Sequence, residues 1–164
     1  RTINRSVIEH LDLIEQSDVQ FIWQTGKFYH QQILDSMKGK ELPNLKIMDF
    51  ISDMGAAYKA ADLVISRAGA SSISEFQLIG KPVILVPSPN VAEDHQTKNA
   101  MALVNKDAAL CVKDADAPDT LLKLALETIA DDKKLKALGE NARKMGLQNA
   151  ADVIADEVLA LVKD

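Results

Sequence analysis

Cysteine, aromatic residues and positive charge are all scarce in this chain. Of its 164 residues one is a cysteine, Cys111, so an internal disulfide is excluded. Aromatic residues make up 4% of the chain, and acidic residues outnumber basic ones to give a net charge of -5. Broad contact with a nucleic acid backbone needs clustered lysine and arginine, so we expect no nucleic acid partner. No apolar run in the sequence reaches the roughly 18 residues of a membrane-spanning helix.

Sequence motifs for metals and common cofactors are also absent. No Cys and His residues have the spacing of a zinc site, and neither a G-x-G-x-x-G nor a Walker motif occurs. His10 and His30 lie in predicted helices without a second ligand at a suitable spacing. We therefore expect neither a metal nor a cofactor. What is present, 47% apolar and 26% charged residues, is typical of a globular domain with a core.

Short apolar segments alternate with helical segments along the whole chain. The pattern predicts strands at 19–24, 45–49, 63–66, 83–86 and 108–112, with helices between them. Strands separated by helices form βαβ units, which build a parallel sheet covered on both faces. We therefore predict an α/β fold with a doubly wound parallel sheet, whose ligands bind outside the carboxyl ends of the strands.

The first residues already have the pattern of a helix interior. Within residues 1–16 apolar side chains recur on one helical face, and Thr2 is the one capping residue before them. The residues of this face are Ile3, Val7, Ile8, Leu11 and Ile14. The first residue is Arg1 rather than Met. We expect residues 1–164 to form a single domain that is a fragment of a larger protein.

The most informative segment is 62–75. It predicts a short buried strand, a turn at Gly69 and a helix that opens on small residues. These small residues are Ala70, Ser71 and Ser72. This order leaves unpaired backbone N–H groups at the carboxyl end of a strand, where the helix dipole also favours an anion. Glu75 follows one turn later and would accept two hydroxyls of a sugar, so the segment indicates a diphosphate flanked by sugars.

The same residues have a second interpretation that involves no ligand. Ser72 and Glu75 have the Ser-x-x-Glu spacing of a capping box, in which Glu75 reaches back to its own helix. In the ligand hypothesis, Gly69 lets a phosphate approach the backbone and Ser71 and Ser72 donate hydrogen bonds to it. The sequence leaves both interpretations open.

A second polar group follows the proline-rich turn 87–90. Asp94 precedes a predicted helix in which three polar residues lie within about one turn. They are His95, Gln96 and Asn99. Amide side chains both donate and accept hydrogen bonds, as recognition of sugar hydroxyls requires. The alternative is a solvated first turn with Asp94 as its N-cap.

The loop 50–54 follows the second predicted strand. Its backbone groups would read the edge of a base, while Ile51 and Met54 cover the faces of the ring. The alternative is that these apolar residues belong to the core.

Four segments together resemble the carboxyl-terminal half of the MurG-type glycosyltransferases, which are undecaprenyl-diphospho-muramoylpentapeptide β-N-acetylglucosaminyltransferases. The segments are 50–58 (FISDMGAAY), 61–75 (ADLVISRAGASSISE), 80–89 (GKPVILVPSP) and 95–100 (HQTKNA). Their order and spacing match the family over roughly residues 1–160. The resemblance implies a Rossmann-like half of a two-domain GT-B enzyme, namely the domain that binds the donor UDP-GlcNAc.

The resemblance also implies roles for the residues singled out above. The backbone near Ile51 would read the uracil with Met54 nearby, and Glu75 would hold the ribose hydroxyls. The diphosphate would meet the turn at Gly69 and the residues Ala70, Ser71 and Ser72. The sugar would contact His95, Gln96 and Asn99.

The family transfers GlcNAc with inversion to lipid I, giving lipid II in peptidoglycan synthesis, and needs no bound catalytic metal. The acceptor site, the membrane-facing patch and the proposed general base belong to an amino-terminal domain, so we expect no catalytic residue in this chain and no transfer by it alone. The first strand and the glycine-rich loop Gly-Gly-Ser-x-Gly-Ala of the family would precede Arg1. The full-length protein would be cytoplasmic and peripheral on the inner face of the bacterial membrane.

Two further hypotheses remain. The chain would be the donor half of another UDP-GlcNAc protein, either a 2-epimerase or the two-subunit N-glycan GlcNAc transferase. Alternatively, it would be a non-enzymatic α/β interaction module, in which Glu75 is a plain cap and 94–99 a plain surface turn.

Overall fold

The computed structural model describes residues 1–162, which form an α/β fold. The strands are β1 (Phe21–Gln24), β2 (Leu45–Met48), β3 (Val64–Ser66), β4 (Val83–Leu85) and β5 (Leu110–Cys111). The helices are α1 (Thr2–Glu9), α2 (Leu11–Glu15), α3 (Lys27–Ser36), α4 (Met54–Ala60), α5 (Ala70–Ile79), α6 (His95–Val104), α7 (Ala117–Ile129), α8 (Asp132–Met145) and α9 (Ala150–Leu161). A short 3-10 turn, Ala92–Asp94, precedes α6.

All strand pairs are parallel, as the alternation of strands and helices predicts. The first pair is β1 with β2, in which Phe21 lies opposite Leu45. The other three strands form the sheet β3-β4-β5, in which Ile84 of β4 lies between Ile65 and Leu110. The predicted α/β class with parallel strands is confirmed, but within residues 1–162 the strands form two sheets rather than one continuous doubly wound sheet.

The β4 strand explains why the core has two layers. Its residues are fully buried, and Ile84 packs into one hydrophobic cluster while Val83 and Leu85 pack into another. Successive side chains of a strand point to opposite faces, so a wholly apolar strand must be covered on both. The cluster on one side includes Trp23, which is 6% exposed, and the other is built around Phe76 of α5.

The predicted first helix is broken. His10, with φ of -130° and ψ of 36°, separates α1 from α2. The apolar face is nevertheless correct, because Val7, Leu11 and Ile14 are buried and α1 packs against α7. Asn4 on the same helix accepts from Trp23 Nε1 at 3.0 Å and donates to the carbonyl of Thr25 at 2.8 Å. The end of β1 is thereby fixed against α1.

The last strand is shorter than the predicted 108–112. Asp107 lies in the left-handed region with φ of 51°, and the amide of Ala108 donates to Leu103 at the end of α6. Ala108 and Ala109 are therefore buried against that helix instead of joining the ladder. Pro118 lies in the first turn of α7, where its missing N–H costs no hydrogen bond. In the part of the chain that the structure describes, no helix is both long enough and apolar enough to span a bilayer.

Candidate functional site

The amino-terminal end of α5 is open. Gly69 is the N-cap, and no side chain caps this end of the helix. Within the described residues, the backbone amides of Ala70, Ser71 and Ser72 meet no acceptor. A Cβ placed on Gly69 would lie more than 4 Å from any other group. Three unpaired donors thus face open space at the end of β3, as an anion site requires.

The capping-box interpretation of Ser72 and Glu75 is wrong. A capping box needs its serine at the N-cap, but the helix begins earlier, after Gly69. Ser72 is therefore the third helical residue, and Glu75 lies beyond the first turn. Glu75 lies too far along the helix for its carboxylate to accept hydrogen bonds from the first backbone amides of α5. The carboxylate is therefore available for another partner.

Glu75 instead lies beside Tyr58 of α4. The phenol of Tyr58 lies near the Glu75 carboxylate, and its ring packs edge-on against Phe76 with the ring centroids 5.4 Å apart. Burial, followed by the negative charge of Glu75, raises the pKa of Tyr58 above its ordinary value. An exposed carboxylate therefore lies beside α4, one turn from the open end of α5.

Gln96 and Asn99 join two of the loops at the carboxyl ends of the strands. Gln96 Oε1 accepts from the amides of Ala68 at 3.2 Å and Ser88 at 2.9 Å. Asn99 Nδ2 donates to the carbonyl of Ala68 at 3.1 Å. The structure thus brings these two predicted sugar contacts next to the β3–α5 turn. Within residues 1–162, Gln96 Nε2 and Asn99 Oδ1 form no hydrogen bond and keep their capacity for hydroxyl groups.

The start of α6 lies where the sequence places it. Asp94 is the N-cap residue, as predicted, but its side chain accepts no hydrogen bond from the helix. Glu93 and Asp94 both have positive φ values, 53° and 54°. Consecutive non-glycine residues in this region are uncommon and often mark functional turns. His95 follows them with its side chain 58% exposed, and its Nε2 lies 3.9 Å from the Glu93 carboxylate.

The β2–α4 loop is also exposed at the carboxyl ends of the strands. Its amide at Ile51 donates to Gln24 Oε1 at 2.9 Å, so Gln24 of β1 fixes the loop that was expected to read a base. Asp53 caps α4, accepting from the Ala56 amide at 2.8 Å. Met54 opens the helix and is half-buried. Sequence reasoning missed Gln24, which carries no motif signal of its own.

Arg67 is the other functional candidate that sequence reasoning missed. It lies between β3 and Gly69, and its Nη1 donates to the Asp114 carboxylate at 2.5 Å and to the carbonyls of Val86 and Pro87. Burial opposes ionisation of Asp114, but hydrogen bonds from Arg67 and Thr2 and nearby positive charges outweigh it, so the pKa of Asp114 lies below its ordinary value. The sequence feature that could have indicated Arg67 is its position two residues before the turn at Gly69.

A cavity of about 820 Å³ adjoins this group on the α6 side. Its lining includes Pro87, Pro89, Asp94 and Thr97 from the β4–α6 region, together with Cys111 and Asp114. Burial raises the pKa of the half-buried Cys111 thiol, so it is not an activated nucleophile. No group of three His, Cys, Asp or Glu side chains among residues 1–162 is arranged to hold a metal ion.

Comparison with known proteins places these residues in a family context. Residues 1–156 match the model of the glycosyltransferase family 28 C-terminal domain. A Bacteroides fragilis protein named UDP-N-acetylglucosamine--N-acetylmuramyl-(pentapeptide) pyrophosphoryl-undecaprenol N-acetylglucosamine transferase is 64% identical over 99% of this chain and 43% of its own length. A Porphyromonas gingivalis protein of the same name is 48% identical over 99% of this chain. The chain thus spans less than half the length of these relatives.

Solved structures give the same architecture. A crystal structure of Acinetobacter baumannii MurG superposes with a TM-score of 0.79 at 28% identity, covering 95% of this chain and 48% of that one. The glycosyltransferase VinC, solved in complex with dTDP, superposes with a TM-score of 0.73 at 16% identity, covering 96% of this chain and 38% of VinC. At that identity the second match concerns the fold alone.

Proposed function

The chain belongs to the glycosyltransferase family 28 C-terminal domain family, and from this premise we propose that it is the donor-binding domain of a GlcNAc transferase. Its donor is UDP-GlcNAc, and the acceptor of the whole enzyme is a muramyl-pentapeptide carried on pyrophosphoryl-undecaprenol. The names of the relatives support this choice of transferase over an epimerase.

The observation that carries the proposal is the uncapped end of α5. The free amides of Ala70, Ser71 and Ser72 and the open space at Gly69 suit a diphosphate. When the glycosidic bond to UDP breaks, negative charge increases on the leaving diphosphate. Donors already aimed at that position stabilise the charge without reorganising, which is the way fixed dipoles lower a barrier. No metal is needed for this step in our proposal.

The remaining parts of the donor are assigned to the neighbouring loops. The β2–α4 loop at Ile51 and Met54 holds the uracil, since the residues between these two are exposed and Gln24 fixes the loop through the Ile51 amide. Glu75 accepts the two ribose hydroxyls. His95 and the free amide atoms of Gln96 and Asn99 face the GlcNAc hydroxyls.

The acceptor and the membrane enter the proposal through the rest of the enzyme. The relatives are more than twice as long as this chain, and their printed name includes a polyprenol-linked acceptor. We assign the acceptor site and the contact with the inner membrane face to the part outside this chain. The chain alone therefore binds donor but does not transfer sugar, because catalysis needs both reactants held in one cleft.

Titration calorimetry with UDP, UDP-GlcNAc and ADP tests the proposal. We expect the chain to bind UDP and UDP-GlcNAc, and to bind ADP at least about tenfold more weakly because its base does not match the β2–α4 loop. Equal affinity for UDP and ADP contradicts the proposal. A Gly69→Val variant serves as a second test, since its branched side chain would fill the space in front of the α5 amides and abolish binding of both UDP ligands.

A further inference from the structure

One guanidinium joins the carboxyl ends of three neighbouring strands. Arg67 directly follows β3, and its Nη1 donates to the carbonyls of Val86 at 3.0 Å and Pro87 at 3.3 Å, which follow β4. The same nitrogen donates to Asp114 Oδ1 at 2.5 Å, and Asp114 follows β5. The second carboxylate oxygen, Oδ2, accepts from Thr2 Oγ1 at 2.9 Å. Both oxygens of Asp114 are therefore used within the chain.

The environment of this pair makes it stronger than a surface ion pair. The Arg67 and Asp114 side chains are 30% and 20% exposed. Partial burial lowers screening by water and salt, and hydrogen bonds to charged partners are shorter and stronger than neutral ones. Losing one partner would leave the other charge partly buried and uncompensated. The pair is thus suited to hold the strand ends in one arrangement.

The pair also determines what Arg67 is available to do. An arginine two residues before an anion-binding turn would ordinarily be a candidate phosphate ligand, because its fork of donors matches phosphate oxygens. Here Asp114 neutralises the charge, and Nη1 is committed to Asp114 and two carbonyls. The guanidinium therefore contributes rigidity to the backbone that leads into Gly69.

We infer that Asp114 is a positioning residue for the diphosphate, acting through Arg67 on the turn that leads into α5. This inference rests on the proposed function. Gln96 and Asn99 hold Ala68 from the α6 side. Asp114 holds Arg67, the residue before Ala68, from the β5 side. The turn with the free amides is thus clamped between α6 and the end of β5. Release of one side of this clamp misplaces the amides relative to the phosphates.

The test compares UDP with uridine on the 164-residue chain and its Asp114→Asn variant. Uridine carries the base and ribose but lacks the diphosphate. Groups in one hydrogen-bond network are coupled by energies equivalent to about two- to hundredfold in affinity, so we expect UDP to bind roughly tenfold more weakly to the variant. Uridine affinity, measured by ligand-observed NMR, should stay unchanged. If Asp114 had a purely structural role, Asp114→Asn would lose affinity for UDP and uridine by the same factor.

Lys81→Met is the matched control. Lys81 Nζ donates to the carbonyl of Ala61 at 2.5 Å, which joins two loops at the opposite, amino edge of the same sheet. Loss of that contact should lower the free energy of unfolding but leave the UDP affinity unchanged. Thr2→Val is the second variant, because it removes a single hydrogen bond to Asp114 and keeps the ion pair. We expect it to weaken UDP binding by about twofold.

The outcomes separate the inference from the function on which it rests. If the wild-type chain does not prefer UDP over ADP, the proposed function fails and the inference fails with it. If the wild-type chain binds UDP but Asp114→Asn binds it equally well, the inference alone is wrong. Tighter UDP binding by Asp114→Asn also overturns it, since Arg67 would then be a phosphate ligand that Asp114 holds back. If circular dichroism shows Asp114→Asn to be unfolded, the UDP affinity of Thr2→Val replaces it as the test. Unchanged or tighter UDP binding by Thr2→Val then overturns the inference.

Discussion

Burial and the negative charge of Glu75 raise the pKa of the Tyr58 phenol, so the side chain of Glu75 on α5 lies close to that of Tyr58 on α4 beside the free amides of the α5 end. Both partners therefore belong to elements that the proposed nucleotide would touch. The β2–α4 loop before Tyr58 is assigned to the base, and the helix that carries Glu75 is assigned to the diphosphate. The ribose joins these two groups in the nucleotide, so a carboxylate at the α4–α5 contact is well placed for its hydroxyls.

Replacement of Glu75 by alanine should affect binding far more than stability. Glu75 is exposed and does not cap α5, so we expect a stability change within about 0.5 kcal/mol. A hydrogen bond to a charged acceptor contributes about 1.5–3 kcal/mol, so UDP should bind about 10- to 100-fold more weakly. Urea unfolding and calorimetry on the same preparations measure the two effects. A large loss of stability with little loss of affinity would support the interaction-module hypothesis instead.

The Glu75→Gln variant provides a direct readout of the Tyr58 contact. The chain has two tyrosines, Tyr29 and Tyr58. Removal of the charge of Glu75 should lower the pKa of Tyr58, because that charge, after burial, raises the pKa in the wild-type chain. Ultraviolet titration of Glu75→Gln in a Tyr29→Phe background follows Tyr58 alone.

Gln96 should contribute to stability through its oxygen and to ligand binding through its nitrogen. Gln96→Ala leaves the amides of Ala68 and Ser88 without their acceptor, at a cost of about 1–2 kcal/mol for partly buried groups. Gln96→Glu keeps an acceptor at that position and should retain most of the stability. Because a carboxylate cannot donate, Gln96→Glu should lower the affinity ratio of UDP-GlcNAc to UDP. An unchanged ratio would show that Gln96 joins loops without touching the sugar.

The fold was predictable from the sequence because its signals are local. The five strands occur in the predicted order, and the fully apolar segment at β4 is buried on both faces. The family membership expected from four short segments is confirmed by the match over residues 1–156. The strand predictions depend on spacing within about 15 residues, which periodicity and turn chemistry report directly. The family membership depends instead on the order of four segments between residues 50 and 100.

The details of the site were less predictable because they depend on contacts between distant residues. Arg67 and Asp114 are 47 positions apart, and Thr2 and Asp114 are 112 apart. No local pattern indicates such a pair. The capping-box error had a different cause, since the Ser-x-x-Glu spacing is real but the helix begins at Ala70, so Ser72 is not at the N-cap. Helix boundaries within a run of small residues are poorly fixed by sequence.

The Arg67–Asp114 pair should make stability depend on pH in acid. The pKa of Asp114 is below its ordinary value in the folded chain, so the ionised form is favoured by folding. The resulting stability is fully present above the unfolded pKa of about 3.9 and is lost as the pH falls through the folded pKa. Asp114→Asn should therefore be less stable than the wild type by about 1–2 kcal/mol at pH 7. This difference in the free energy of unfolding should narrow below about pH 4. If urea unfolding gives a difference that does not change with pH, the lowered pKa of Asp114 is contradicted.

Two glycines in helices should respond to alanine in opposite directions. In α8, a Cβ on Gly139 would lie 2.7 Å from the carbonyl oxygen of Gly80, the left-handed residue that ends α5. Backbone atoms do not move aside cheaply, so Gly139→Ala should destabilise the chain by about 1–3 kcal/mol even though alanine is the better helix former.

Gly55 in α4 is the matched control for Gly139. A Cβ there would meet its nearest atom, Asp53 Oδ1, at an ordinary 3.5 Å. Without a steric penalty, alanine should stabilise α4 by about 0.5–1 kcal/mol. Thermal unfolding of the two variants beside the wild type measures the contrast. If Gly139→Ala instead raised the melting temperature as Gly55→Ala should, α8 would not pack on the end of α5 as closely as described, and the α5 helix would lack this support at the end opposite its free amides.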